Sequence, residues 1–154
     1  MDKENKNGII YRKMGIKDID GVLDVENRAF SIPWSRNMFV EELNNPGAVY
    51  YVALVNEVIV AYTGVQVILD EGHITNLAVD PSCRRQHIAF GLMRKIIEMS
   101  RDIKLVGLTL EVRAGNLPAI SLYERFGFKA EGIRKSYYSD NNEDAIIMWC
   151  YFDI

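Results

Sequence analysis

The chain has 154 residues, of which 49% are hydrophobic and 25% are charged. These values predict one domain, residues 1–154, and they exclude a disordered tail, a collagen and a coiled-coil rod. The net charge of −3 argues against nucleic acid as a direct partner, whereas a basic protein or peptide fits that charge.

The two cysteines are too few for a disulfide framework and indicate a reducing compartment, the cytoplasm. The first eight residues lack the apolar core of a signal peptide. The longest apolar stretch, Ala145–Phe152, is far shorter than the roughly 20 residues of a membrane helix. We therefore expect no membrane association, and we expect a monomer or a weak dimer.

Apolar periodicity and turn residues predict seven strands and four helices. The predicted strands are Gly8–Met14, Ala48–Val55, Val58–Leu69, His73–Val79, Lys104–Val112, Phe128–Ser136 and Asp144–Phe152. The predicted helices are Ile16–Phe30, Ser35–Leu43, Arg84–Arg101 and Asn116–Phe126.

The connections between these elements predict an α/β (α+β) fold. The short turns Asn56–Glu57 and Asp70–Gly72 favour antiparallel hairpins. The strand–helix–strand unit from His73 to Val112 requires a parallel crossover. The simplest arrangement is a mixed sheet with helices on both faces.

A strand, a polar turn and a basic helix start follow one another between Ile74 and Ala89. The unpaired amides of a helix N-terminus attract anions, and Arg84, Arg85 and Gln86 add donors for a pyrophosphate. A solvated basic turn is the alternative, although cations are unfavourable at that end of a helix.

Two further residues are candidates for proton transfer. Glu111 interrupts an apolar strand, where partial burial would raise its pKa and suit it to be a base. The alternative is an ion pair with Arg113 or with a neighbour on the sheet. Tyr123 lies in an amphipathic helix, and its alternative is a core tyrosine with a hydrated hydroxyl.

Together these segments resemble the GNAT superfamily of acetyl-coenzyme A-dependent N-acetyltransferases over nearly the whole chain. Within it, the chain is most similar to the bacterial enzymes that acetylate the N-terminal alanine of a small-subunit ribosomal protein. This narrower similarity lies in the segments Ile74–Pro81, Leu110–Asn116, Leu122–Glu124, Pro33–Ser35 and Ile133–Tyr138. The resemblance implies a mostly antiparallel seven-stranded sheet, acetyl-CoA as cosubstrate and a protein N-terminus as acceptor.

The resemblance also implies residue roles. Glu111 would be the general base and Tyr123 the general acid. The residues expected to bind the cosubstrate are Leu77, Ala78, Val79, Arg84, Arg85, Gln86, His87, Ile88, Ala89, Phe90 and Asn116. The acceptor is expected at Trp34, Tyr137 and Tyr138, near an acidic loop containing Asp140, Glu143 and Asp144.

One position departs from the family pattern, because His87 stands where the family has glycine. A histidine in a helical conformation keeps its amide for a phosphate if the side chain points away, so we expect altered but tolerable cofactor affinity.

The sequence also fits other functions. They are acetylation of other N-termini, lysine side chains or a small amine, and a non-catalytic coenzyme A-binding domain. A metal site is disfavoured and none is expected, because His73, His87, Cys83 and Cys150 lack the close paired spacing of zinc ligands.

Overall fold

A computed structural model describes residues 3–4 and 8–153, and its described strands form one sheet in the order β1-β2-β3-β4-β5-β6-β8-β7. The strands are β1 (Lys3–Glu4), β2 (Ile9–Lys13), β3 (Ala48–Val55), β4 (Val58–Ile68), β5 (Glu71–Val79), β6 (Gly107–Arg113), β7 (Lys129–Arg134) and β8 (Ala145–Tyr151). Every pairing is antiparallel except the one between β5 and β6. The expected mixed, mostly antiparallel sheet is confirmed, with the two-residue β1 added at its edge.

Four α-helices cover the sheet: α1 (Ile19–Ala29), α2 (Arg36–Leu43), α3 (Ile88–Asp102) and α4 (Leu117–Arg125). Short 3-10 helices at Ile16–Asp18 and Pro81–Cys83 precede α1 and α3. Within the described residues, no helix is long and apolar enough to cross a membrane.

The core divides into two layers, one on each face of the sheet. Successive side chains of a strand point to opposite faces, so Tyr50, Val52 and Leu54 pack with α1 and α2. Tyr51 and Ala53 from the same strand pack with α3 and α4 on the other face. The predicted helices on both faces are therefore confirmed.

The parallel pair β5–β6 is short, and this feature creates the central gap of the molecule. Only Glu71, Gly72 and His73 are in register with β6, opposite Gly107–Thr109. Beyond His73, β5 continues to Val79 beside β4 alone. The two strands therefore diverge, and the β6-facing edge of β5 has no strand partner there.

The start of α3 differs from the prediction, because the helix begins at Ile88 and not at Arg84. Asp80 instead caps the 3-10 turn Pro81–Cys83 by accepting from Ser82 N. Arg85 and His87 then adopt left-handed conformations, with φ of 68° and 61°. A right-handed helix cannot pass through such residues, so residues 84–87 form a loop.

The β4–β5 turn also differs from the prediction. It lies at Leu69–Asp70, and Glu71 already pairs with Ile68. Gly72 is a residue of the strand. A Cβ at that position would lie 2.6 Å from Leu108 Cδ2. The glycine permits close packing between strands and is not a turn residue.

Candidate active site

A cavity of about 640 Å³ lies at the point where β5 and β6 diverge. Residues 73–77 of β5 and 110–113 of β6 form its floor. The α1–α2 loop, residues 30–35, forms one wall, and the β7–β8 loop, residues 137–140, forms another. Sequence-distant segments thus meet around one space that is large enough for part of a ligand.

Seven of the predicted site residues line this cavity: Trp34, Leu77, Glu111, Asn116, Tyr123, Tyr137 and Tyr138. Ala78 is buried on the α1–α2 face of the sheet, and Val79 packs against the α3–α4 core. Both side chains pack in the cores, so only the backbone atoms of these two residues are free to contact a ligand. The predicted residues 84–90 lie apart from the cavity wall, at the start of α3.

Glu111 is held in an ion pair at the floor of the cavity. Its Oε2 lies 2.6 Å from His73 Nε2, and its Oε1 lies 3.6 Å from Arg134 Nε. The hydrogen bond that His73 donates lowers the pKa of Glu111 and outweighs the opposing effect of burial. The predicted raised pKa is therefore wrong, because the prediction considered burial without the partner.

The alternative of an ion pair with a neighbour on the sheet describes Glu111 in the structure, because His73 lies on the adjacent strand β5, whereas the other suggested partner, Arg113, does not pair with Glu111. Arg113 points away from Glu111 and contacts Asp140 at 2.9 Å and Glu143 at 3.3 Å. Sequence reasoning missed His73 as a site residue. Its register opposite Thr109 brings it to Glu111, and that register is not visible in the sequence.

Tyr123 projects from α4 into the cavity and is otherwise buried. Within the described part of the chain, its hydroxyl has no hydrogen-bond partner. Burial raises the pKa of Tyr123 well above its ordinary value. The phenol therefore stays protonated near neutral pH and can donate a proton.

The start of α3 presents a basic, exposed loop. Arg84, Arg85, Gln86 and His87 are all exposed. Gly91 N donates to His87 O at 3.2 Å, so the amides of Ile88, Ala89 and Phe90 precede the first helical hydrogen bond. Unpaired amides beside two arginines are the features on which the predicted anion site depends. The side chain of Ile88 is buried, so only its amide faces an anion.

The prediction for the conformation of His87 is wrong. It caps α3 in the left-handed region, with φ of 61° and ψ of 22°. Glycine adopts this conformation without strain, which explains physically why glycine suits the position.

Asn116 performs a structural task at the other end of the cavity. Its Oδ1 accepts from Ala119 N at 3.2 Å and caps α4, as its sequence position predicts. Only its side-chain amide nitrogen is left for a ligand.

The two walls of the cavity are joined across its mouth. Ser31 Oγ donates to Asp140 Oδ2 at 3.0 Å, and Arg113 lies 4.0 Å above the ring of Tyr138. Tyr137 packs edge-on against Tyr138. Side chains of the α1–α2 loop and the β7–β8 loop therefore bridge the mouth of the cavity.

The acidic loop residues Asp140, Glu143 and Asp144 each have partners within the protein. Asp140 and Glu143 both bind Arg113. Asp144 binds Lys135 and accepts from the Ser136 amide. Because Asp140 and Glu143 share one guanidinium, one negative charge of this group remains without a cationic partner among the described side chains.

Among the residues that the structure describes, no cluster of three or more His, Cys, Asp or Glu side chains could hold a metal ion. The site instead combines a carboxylate–imidazole pair (Glu111 and His73), a protonated phenol (Tyr123), the unpaired edge of β5 and the basic segment of residues 84–90, which is called the anion loop below. Such a set can transfer an acyl group from a phosphate-bearing carrier to an amine.

Known proteins resemble this chain both in sequence and in structure. The sequence profile of the acetyltransferase (GNAT) family matches residues 19–128. A Bacillus subtilis (strain 168) protein, provisionally named a ribosomal protein bS18-alanine N-acetyltransferase, is 41% identical over 145 residues, covering 94% of this chain and 96% of that protein.

Solved structures agree with this match. The crystal structure of the ribosomal-protein-S18-alanine N-acetyltransferase from Escherichia coli superimposes with a TM-score of 0.89 at 33% identity, covering 95% of both chains. Arabidopsis thaliana NAA60 in complex with acetyl-CoA has a TM-score of 0.84 at 20% identity, covering 94% of this chain and 98% of that one. The second likeness shows the fold alone.

Proposed function

Because the chain belongs to the GNAT family of acetyltransferases and uses acetyl-CoA as its acetyl donor, we propose that its acceptor is a protein N-terminus. The specific acceptor in this proposal is the N-terminal alanine of ribosomal protein bS18, in the cytoplasm. The names of the Bacillus subtilis and Escherichia coli relatives support this choice. Residues 1–154 would act as one N-acetyltransferase domain.

The observation that carries the proposal is the shared cavity of Glu111 and Tyr123, with an aromatic mouth beyond them. The Ser31–Asp140 hydrogen bond narrows the mouth between the two walls, which fits the end of a chain better than a continuous peptide. The aromatic pair Tyr137–Tyr138 offers a surface for an extended peptide.

The cosubstrate site in this proposal runs from the start of α3 to the gap between β5 and β6. The amides of residues 88–90, together with Arg84 and Arg85, hold the pyrophosphate. The unpaired edge of β5 at Leu77, Ala78 and Val79 holds the acetyl and pantetheine arm. Gln86, His87 and Asn116 complete the contacts through their free donor groups.

The reaction is a direct attack on the thioester. An N-terminal amine has a pKa of about 8, so a fraction of it is already neutral at pH 7. Its nitrogen attacks the acetyl carbonyl carbon, and β5 amides stabilise the oxyanion by roughly 3 kcal/mol. The carbon–sulfur bond then breaks.

Two side chains move the protons in this scheme. The attacking nitrogen becomes strongly acidic once it bonds to carbon, so even a carboxylate of lowered pKa, such as Glu111, can take its proton. His73 keeps Glu111 ionised and oriented. Tyr123 gives its hydroxyl proton to the departing coenzyme A sulfur.

The test is an acetylation assay with peptides that differ only at the first residue, a lysine peptide with a blocked N-terminus, and a polyamine. Preference for N-terminal alanine or serine is the expected result. Exclusive use of the polyamine or of the lysine side chain would overturn the proposed acceptor.

Catalytic roles are tested in the same assay. Glu111→Gln should lower kcat by roughly 10²–10⁴-fold. Tyr123→Phe should lower kcat more than it raises the KM for acetyl-CoA. Full activity of Glu111→Gln at pH 7 would remove Glu111 from the role of base.

A further inference from the structure

The proposed reaction does not use one buried carboxylate beside the cavity, that of Glu26. This residue lies in the last turns of α1 and is 1% exposed. Its Oε2 accepts from Trp34 N at 2.9 Å, and its Oε1 accepts from the hydroxyl of Tyr62. Burial raises the pKa of Glu26 against the effect of these bonds.

A carboxylate in an apolar core is costly, so its hydrogen bonds indicate what it is for. Around Glu26 the neighbouring core residues are apolar or aromatic, including Phe39, whose ring packs edge-on against Tyr62. The two accepted bonds join three segments: α1, the α1–α2 loop and β4. Tyr62 also accepts from Asn76 Nδ2 at 3.1 Å, which extends the link to β5.

The α1–α2 loop has few other polar attachments. Across residues 31–34, the hydrogen bonds to the rest of the described protein are Trp34 N to Glu26 and Ser31 Oγ to Asp140. The Ser31 bond is exposed to water and so contributes little. Pro33 has no N–H to donate, and Ile32 is 62% exposed. Glu26 is thus the buried polar anchor of this wall.

We propose that Glu26 is a positioning residue that fixes the α1–α2 loop, and with it Trp34, at the distance from β5 that the acceptor requires. The inference rests on the proposed function, because it takes this loop as the wall of the acceptor site. Glu26 does not touch the reacting atoms. It sets the width of the space in which the amine approaches the β5–β6 gap.

The kinetic test compares Glu26→Leu with Glu26→Gln. Leucine fills a similar volume but leaves Trp34 N and the Tyr62 hydroxyl without their acceptor, so KM for the acceptor should rise about tenfold. Glutamine keeps a carbonyl oxygen for Trp34 N, so its KM should stay within about twofold of the wild-type value. KM for acetyl-CoA should stay nearly constant in both variants, which a general loss of structure would not produce.

A second readout does not depend on catalysis. The chain has two tryptophans, so a Trp149→Phe background leaves Trp34 as the only tryptophan whose fluorescence is followed. Acrylamide should quench Trp34 more strongly in Glu26→Leu than in Glu26→Gln. In the unmodified protein, the Trp34 amide should exchange its hydrogen much more slowly than the Ile32 amide, and this measurement needs no variant to fold.

Two results would overturn the proposal. One is an unchanged acceptor KM together with unchanged quenching in a folded Glu26→Leu protein. The other is equally fast exchange of the Trp34 and Ile32 amides. The KM is measured with whichever amine the wild-type protein acetylates, so a different acceptor class would overturn the proposed function and leave this test intact.

Discussion

At the scale of single residues, His87 carries a backbone conformation that its side chain makes costly. Its φ of 61° lies in the left-handed region, where a Cβ costs roughly 1 kcal/mol. We expect His87→Gly to raise the free energy of unfolding by about 0.5–1 kcal/mol. Urea unfolding at pH 7 measures this change, and coenzyme A titration of the same variant measures any change in affinity.

His87→Ala is the matched control, since it removes the imidazole but keeps the Cβ. It should show no gain in stability. If alanine stabilises the protein as much as glycine does, the imidazole itself and not the backbone is the source of the cost. An unchanged coenzyme A dissociation constant in His87→Gly would mean that position 87 does not affect the anion loop.

A second prediction at this scale concerns the pH dependence set by His73. Its hydrogen bond is the largest cause of the lowered pKa of Glu111, and burial opposes it. In His73→Ala the burial remains and the hydrogen bond is lost, so the pKa of Glu111 rises. The acidic limb of the kcat/KM profile, which in the proposed mechanism requires ionised Glu111, should therefore move to higher pH.

His73→Gln separates hydrogen bonding from the rest of the imidazole. Its side-chain amide nitrogen can donate from about the position of the His73 Nε2 atom, so the acidic limb should return toward that of the wild type. An acidic limb at the same pH in wild type and His73→Ala would mean that Glu111 is not the group titrating in that limb.

At the scale of elements, a partly buried ion pair ties the start of α1 to the sheet. Arg12 from β2 donates to both carboxylate oxygens of Asp18, at 2.7 and 2.9 Å, and Gly15 N adds a bond of 2.8 Å. The Arg12 bonds lower the pKa of Asp18 despite burial. Asp18→Asn should therefore lower the free energy of unfolding at pH 7 by about 2 kcal/mol, as measured by urea unfolding.

The pH dependence of this difference follows from the direction of the pKa shift. Stability from a carboxylate with a lowered folded pKa is complete above the unfolded value of about 4 and is lost as pH falls through the folded one. The gap between Asp18→Asn and wild type should therefore narrow below about pH 4. Asp20→Asn, whose side chain is 81% exposed, is the control and should show a much smaller loss at every pH. A gap that stays constant into acid would contradict the ion-pair account.

Local signals predicted some element boundaries and not others. Ser35 and Asn116 cap α2 and α4 as their sequence positions suggest, and Gly127, with φ of 92°, ends α4. The start of α3 lies later than predicted, because the start signals Asp80 and Pro81 belong to a 3-10 turn. The left-handed residues that delay α3 are not glycines, so nothing in their type marks them.

The residues of the candidate site likewise include some that local sequence patterns predict and others that they do not. Glu111 and Tyr123 could be selected from the sequence because a carboxylate in an apolar strand and a tyrosine in an amphipathic helix are visible as patterns. His73 and Glu26 could not be selected, since their partners lie 38 and 36 positions away in the chain. Strand register and helix placement decide such contacts, and neither is written in local periodicity.

At the scale of the whole molecule, the sheet separates two tasks. In the proposed scheme, the α1–α2 face carries the acceptor wall and its anchor Glu26, while the α3–α4 face carries the anion loop and Tyr123. The gap between β5 and β6 is where the two faces communicate. Arg28 of α1 binds Asp80 at 2.5 Å, just before the anion loop, so the two halves are also joined at the edge of the site.

This division predicts how ligands change the stability of the protein. A ligand that binds only the folded state at 100 times its dissociation constant adds about 2.7 kcal/mol, which raises Tm by about 5–10 °C for a chain of this size. Coenzyme A should do so, because in the proposed site it occupies both the anion loop and the β5 edge. Pantetheine at the same concentration lacks the pyrophosphate and should raise Tm far less.

In an Arg84→Ala, Arg85→Ala double variant, the difference in Tm shift between coenzyme A and pantetheine should shrink, while the small shift caused by pantetheine stays the same. Equal shifts by the two ligands in wild-type protein would mean that the start of α3 does not hold the pyrophosphate, since only that group and the nucleotide beyond it distinguish them.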